Sequence, residues 1–185
     1  MPLPVVESLY SARLTIRAVR DTDVDDLFAI NGDPEVTRYL PYEAWRSVAD
    51  GMAWIQRMRD LDAAGTGRQF MLELNEGRKV VGTLLLCRYD ESSGCADLGF
   101  ALGREYWRRG LMHEALTLFC THAFEHINLR RLEAEVDPAN HASNALLLRL
   151  GFTLEGTLRA DDVSNEPSHE TNVFGLLRNE WRATP

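Results

Sequence analysis

Residues 95–136 read as a strand, a helix and a second strand: "CADLGFALG", then "RRGLMHEALTLFCTHAFEHI", then "RRLEAEVD". This passage constrains the fold more than any other. Two strands joined through a helix lie parallel in one sheet, and the crossover is right-handed. Within the helix, Leu111, Ala115, Leu118, Phe119 and His122 fall on one face at helical spacing. That face needs a sheet to cover.

The segments on either side supply antiparallel partners. "RQFMLELN" and "KVVGTLLLCRYD" are β-type runs separated by the turn "NEGR", and "DESSG" turns the chain into "CADLGFALG". Three consecutive strands therefore form a meander. "ARLTIRAVR" alternates as an earlier strand, and "FTLEGTLRADDV" and "HETNVFGLLRNEW" close the chain as two more. Two helical segments follow the first strand. "DTDVDDLFAIN" has Asp21 as its expected N-cap and Gly32 as its stop, and "DPEVTRYL" restarts with Asp33 before Pro34. "EAWRSVADGMAWIQRMRDLDAAG" places Trp45, Val48, Met52, Ile55 and Met58 or Arg59 at helical spacing. "PANHASNALLLRLG" turns Leu146, Leu147 and Leu150 inward, with Gly151 after its end. The order β-αα-βββ-α-β-α-ββ describes an α/β (α+β) chain with one mixed sheet and helices packed on it. No linker divides it, so residues 1–185 read as a single domain, with 1–11 as a loose N-terminal segment.

Composition excludes several functions. The net charge of −8, from 20 basic and 28 acidic residues, argues against direct nucleic-acid binding, which needs phosphate-neutralising cations. The same balance mildly favours a cationic acceptor through long-range steering, or else serves solubility alone. The apolar runs are too short to span a bilayer, and the first residues lack the layout of a signal peptide. Cys87, Cys95 and Cys120 form no CxxC pair, which suits a reducing cytoplasm. Cys87 and Cys95 flank a hairpin turn, so a disulfide stands as the alternative to two free thiols.

Chemistry concentrates at "EYWRRGLMHEAL". A helix N-terminus presents unpaired N–H groups and about half a unit of positive charge. Gly110 permits close backbone approach, and Arg108 and Arg109 can add charge-assisted bonds. The stretch therefore reads either as an anion site or as a charged surface turn. GxxxxGK[ST] and GxGxxG are both absent, which excludes a Walker loop and a dinucleotide fingerprint. Ligands of open α/β sheets sit at the carboxyl ends of parallel strands, where this junction lies.

Four segments together resemble the GNAT superfamily of acetyl-CoA-dependent N-acetyltransferases, and within it the RimJ/RimL branch that acetylates ribosomal-protein N-termini. They are "RLTIRAVRDTDVDDLFAINGDPEVTRYLP", "DLGFALGREYWRRGLMHEAL", "RRLEAEVDPANHASNALLLRLGF" and "LEGTLR…LLRNEW", spanning Arg13 to Trp181. The resemblance implies a mostly antiparallel sheet of about seven strands, helices on both faces, and a parallel pair that splays apart. It implies acetyl-CoA as co-substrate and no metal.

The family's pyrophosphate loop, Q/R-x-x-G-x-G/A, maps onto residues 107–112, with backbone contacts from Arg108, Arg109, Gly110, Leu111, Met112 and His113. Trp107 and Met112 depart from that pattern. Phe100, Ala101 and Leu102 map where the pantetheine arm pairs like an added strand. Asn140 maps to an asparagine at the next helix start. It reads as an N-cap or as a further cofactor contact. Leu147 stands where many relatives carry an acid tyrosine, so Ser143 becomes the candidate acid; otherwise its hydroxyl bonds backbone. Asp97 is the candidate base, against a plain solvated carboxylate, with Glu155 and Glu170 as further acidic candidates. Tyr42 and Trp45 would wall the acceptor site, or simply pack.

The implied reaction is direct attack of a primary amine on the thioester, with a protein N-terminal α-amine favoured. An ordinary aspartate is about 4 units more acidic than an α-ammonium, so Asp97 needs a raised pKa or a relaying water. A small-amine acceptor and a non-catalytic CoA-binding module are the alternatives. Monomer and homodimer are both compatible with the sequence.

Overall fold

The computed structural model describes residues 7–159 and 170–182. Among the described residues, eight strands form one sheet in the order β1-β2-β3-β4-β5-β6-β8-β7. They are β1 (Leu9–Tyr10), β2 (Leu14–Ala18), β3 (Arg68–Leu74), β4 (Val80–Asp90), β5 (Cys95–Leu102), β6 (Arg131–Val136), β7 (Thr153–Leu158) and β8 (Thr171–Leu177). Only β5 and β6 pair in parallel; every other neighbouring pair is antiparallel. The count exceeds the expected seven because Leu9 and Tyr10 pair with Ile16 and Thr15 at the sheet edge.

Five α-helices accompany the sheet among the described residues: α1 (Val24–Asn31), α2 (Pro34–Thr37), α3 (Val48–Ala63), α4 (Leu111–Glu125) and α5 (His141–Arg149). The main core lies between the sheet and α4 with α5. Leu14, Leu84, Leu98, Leu116, Phe119, Leu132, Leu147 and Phe174 are all buried in it. A second core, with Leu27, Trp45, Trp54, Ile55 and Met71, lies under α1 and α3 on the opposite face. Strand alternation separates the two: Ala96 and Leu98 face α4, so Asp97 between them faces the other way.

Three local expectations change. Asp21 does not cap α1. It opens a 3₁₀ turn (Asp21–Asp23), and buried Asp23 instead accepts from Nη1 and Nη2 of Arg17, each at 2.8 Å. The long helix begins at Val48, because Ser47 and Asp50 form a capping box there. Trp45 therefore lies in the loop before it. The helix stripe is also rotated: Val48 and Met52 are exposed, while Gly51, Trp54 and Ile55 are buried. Gly51 explains the rotation, since a Cβ there would sit 3.0 Å from the Trp45 ring. The indole of Trp45 occupies the space that a larger residue would need.

All three cysteines are free. The register pairs Cys87 with Asp97 and Cys95 with Asp90, so the two thiols are not cross-strand neighbours. No helix among the described residues is long and apolar enough to cross a membrane.

Candidate active site

The parallel pair opens partway along its length. Cys95, Ala96 and Asp97 pair with Arg131, Leu132 and Glu133, and there the register ends. β5 continues to Leu102 and β6 to Val136 without further pairing. On its other side β5 stays zipped to β4 as far as Leu102–Gly82, and the Gly103 N–H bonds the Val81 carbonyl at 2.8 Å. Peptide groups alternate along an antiparallel strand. Those of Phe100 and Leu102 therefore point away from β4 and into the gap. This is the open strand edge to which an extended ligand can add.

At the carboxyl end of β5 the chain makes a backbone cradle. Arg108 and Gly110 both take left-handed conformations, with φ of 60° and 73°. Such alternation turns successive amides toward one point. The Glu114 N–H makes the first α4 bond, to the Gly110 carbonyl at 3.0 Å. The amides of Leu111, Met112 and His113 are therefore left at the free helix end. A Cβ on Gly110 would meet only Arg13 Nη2, at 3.6 Å. Its positive φ, more than crowding within the protein, is what requires glycine. Arg108 makes no hydrogen bond or ion pair with the described residues, whereas Arg109 lies over the Tyr106 ring at 5.5 Å. The side chains of Leu111 and Met112 are buried in the main core, so the bulk of Met112 is directed inward.

Two features of the cradle escaped sequence reasoning. Trp107, which stands at the position of the usual Gln or Arg, donates its indole N–H to the Leu102 carbonyl at 2.7 Å and ties the loop to the strand end. Arg13 reaches from the sheet edge to the Arg109 carbonyl (2.9 Å) and to Glu114 Oε2 (2.6 Å), and Ser11 bonds Glu114 Oε1 at 2.7 Å. Nothing local to the loop's sequence signals a latch from about a hundred residues away.

Across the gap, Asn140 caps α5: its Oδ1 accepts the Ser143 N–H at 3.2 Å. The Ser143 hydroxyl has no partner among the described residues and is half-buried. Leu147 is fully buried. Asn144 was another omission. It donates to the carbonyls of Asp137 and Asn140 and accepts from Asn172, which bonds Thr157 in turn. That chain of amides fixes the loop at the α5 start to β7 and β8.

Asp97 sits at the last paired position, half-buried on the face away from α4. Burial pushes its pKa up, and the neighbouring Glu133 and Glu135 add to the rise. Arg88 opposes them through a close ion pair with Asp97 Oδ2. Glu155 has a different environment. Arg131 grips both of its oxygens, at 2.7 and 2.5 Å, and holds its pKa below the ordinary range. Its carboxylate is thus already engaged. Glu170 is exposed just before β8. Burial and the charge of Arg149 lower the pKa of His113, which favours the neutral imidazole at the cradle.

Tyr42 and Trp45 pack in the second core, under α1 and α3. The Tyr42 hydroxyl bonds Asn31 Oδ1 at 3.0 Å, and burial raises its pKa to about 12. Trp45 stacks at a tilt against Trp54, 5.7 Å between centroids. Together with Arg46, Asp50 and Arg57 they line an open hollow of about 420 Å³. Tyr39, from the same loop, donates to the Ala139 carbonyl at 3.2 Å and so bridges from the α2 side to the α5 loop.

A splayed parallel pair, an anion cradle at its carboxyl end and a carboxylate at its fork suit a long phosphorylated ligand with an extended arm. Comparisons agree with that chemistry. Residues 13–153 match the acetyltransferase (GNAT) domain. The uncharacterized N-acetyltransferase p20 of Bacillus licheniformis is 34% identical over 176 residues, covering 95% of this chain and 99% of its own. The uncharacterized N-acetyltransferase YoaA of Bacillus subtilis (strain 168) is 30% identical over 175 residues, covering 95% and 97%. Among solved structures, RimL, a ribosomal alpha-N-protein acetyltransferase in complex with coenzyme A, superposes with a TM-score of 0.81 at 21% identity, over 92% of this chain and 98% of that one. The chain belongs to the GNAT family of N-acetyltransferases, with ribosomal-protein acetyltransferases of the RimJ/RimL type among its relatives.

Proposed function

We propose that the protein transfers an acetyl group from acetyl-CoA to a primary amine, with a protein N-terminal α-amine as the favoured acceptor. One observation carries the reading: the β5–β6 register ends at Asp97, leaving the gap-facing N–H and carbonyl of Phe100 and the N–H of Leu102 without a strand partner below the cradle, while the Leu102 carbonyl holds the Trp107 indole. The donor set fits the cofactor. Free helix amides from Leu111 to His113, with Arg108 and Arg109, suit a pyrophosphate. Phe100, Ala101 and Leu102 offer a strand edge to an amide-containing arm. Asn140 is occupied as a cap, which leaves Ser143 on that side with a free hydroxyl.

Bound acetyl-CoA supplies a thioester as the acyl donor. The gap-facing N–H of Phe100 is positioned to donate to a carbonyl lying along the strand. Asp97 takes the proton of the attacking amine, directly or through water, and Ser143 supplies a proton on the opposite side. An α-ammonium has a pKa near 8 and a lysine near 10.4, so lysine deprotonation costs about 3 kcal/mol more. The raised pKa of Asp97 narrows the gap to an α-amine but leaves lysine distant. The RimL likeness supports the same acceptor class. Tyr42, Trp45 and Glu155 line the acceptor side in this reading.

The test is acetyl transfer, read as thiol release at pH 8, to peptides with a free N-terminus, the same peptides N-blocked with one lysine, and spermidine. Transfer to free N-termini above both others is expected. Faster transfer to the lysine peptide or to spermidine would overturn the acceptor assignment.

A further inference from the structure

Arg88 reaches both lips of the gap. Its Nη2 contacts Asp97 Oδ2 on β5 and lies 2.8 Å from Glu135 Oε1 on β6. Asp97 is the last paired residue of β5, and Glu135 lies two residues beyond its partner Glu133, in the splayed part of β6. Each lip therefore carries a carboxylate, and one guanidinium bridges them. The backbone is arranged for this. The β4–β5 register slips between Cys87 and Asp90, and Arg88 takes a φ of 49°, which non-glycine residues seldom adopt. A bulge of this kind re-aims a side chain. Here it swings Arg88 over the fork while leaving 62% of the side chain exposed.

We propose that Arg88 holds the place of the acceptor's ammonium group: Asp97 and Glu135 form a two-carboxylate cation site that an incoming protonated amine takes over from Arg88. The inference rests on the acetyltransferase reading of the site and specifies how the acceptor is chosen. The groups facing Asp97 are Cys87 and Arg88 from β4 and Glu133 and Glu135 from β6. Glu133 is already paired with Arg131 at 2.6 Å, so without Arg88 the two carboxylates of Asp97 and Glu135 would be left with no cation between them. Exchanging guanidinium for ammonium keeps that charge compensated throughout binding. The exposed stem of Arg88 gives it an outward path. A neutral acceptor, such as an alcohol or an N-blocked peptide, brings no cation and cannot displace it. The site thus selects for charge before any proton moves, and the displaced position delivers the amine beside Asp97.

The experiment measures binding without turnover. An alanine-initiated hexapeptide with a free N-terminus is titrated calorimetrically into protein saturated with coenzyme A, which carries no acetyl group. Arg88→Asn tolerates the left-handed backbone and removes the resident cation. It is expected to bind the peptide about tenfold more tightly than wild type. Arg88→Lys keeps a cation and should stay near wild type. The N-acetylated hexapeptide should not distinguish the three proteins. Equal or weaker binding of the free peptide by Arg88→Asn overturns the proposal, and a lowered kcat for that variant in a separate acetyl-transfer assay would then make Arg88 a positioning residue for Asp97. Acetyl transfer by Asp97→Asn is measured separately. Wild-type turnover in that variant would remove the base assignment and leave the Arg88 comparison intact.

Discussion

Gly110 separates two demands that the sequence presents as one. Read from the chain, its glycine suggested room for a phosphate. In the structure the backbone itself also needs it, at φ 73°, and a Cβ would find only Arg13 Nη2 at 3.6 Å. Substitutions can tell the two apart. Gly110→Ala should destabilise the protein by about 1–2 kcal/mol, the usual cost of a left-handed non-glycine residue, and leave acetyl-CoA binding within a few-fold. Gly110→Glu carries the same backbone cost and also sets a carboxylate beside the free amides. Its acetyl-CoA affinity should fall at least about tenfold by calorimetry, a charge effect on top of the strain. Equal affinities for the two variants would place the phosphates elsewhere.

At the scale of elements, the helix-and-strand order was legible because periodicity reports burial directly. The errors lie where a distant side chain decides. Val48 and Met52 look like core by spacing, yet the Trp45 indole against Gly51 turns the α3 stripe away from them. The position of Asp97 on the strand before the crossover helix, and of the glycine turn at the start of α4, was legible from motif and strand end. Arg88 and Asn144 were not, because a bulge and a relay of amides between three elements leave no local pattern. The latch of Arg13 and Ser11 on Glu114 belongs to the same class. Burial raises the Glu114 pKa, but hydrogen bonds from Ser11 and Arg13 outweigh it and the net shift is downward. The latch thus contributes stability above the unfolded carboxylate pKa, near 4.3, and loses it as pH falls through the lower folded value. Arg13→Ala should cost about 1 kcal/mol at pH 7, since Arg13 is half exposed, and the difference from wild type should shrink in strong acid. Because Arg13 also holds the Arg109 carbonyl, the variant should raise the KM for acetyl-CoA more than it lowers kcat. Unchanged KM in a measurably destabilised variant would separate the latch from the cradle.

For the molecule as a whole, the gap is a place where the sheet is left incomplete between its two cores. From Asp97 to Leu102 β5 is paired on one side with β4, while beyond Asp97 its other side has no strand partner. A ligand that completes the ladder should therefore act on alternate peptide groups along one strand. The amides of Gly99 and Ala101 point toward β4 and are protected with or without ligand, whereas that of Phe100 faces the gap. Amide hydrogen exchange resolved by residue should show Phe100 slowed strongly by coenzyme A, with Gly99 and Ala101 changing little. The amides of Leu111, Met112 and His113 at the free end of α4 should slow with it, because the same molecule would occupy both. Binding at a concentration of about 100 Kd would also stabilise the fold by about 2.7 kcal/mol, which for a chain of this size raises the melting temperature by roughly 5–10 °C. Slowing confined to the α4 amides would mean that the arm does not pair with β5. A uniform decrease along the whole sheet would point to global stabilisation alone. Only the alternating pattern requires that the missing strand be supplied by the ligand.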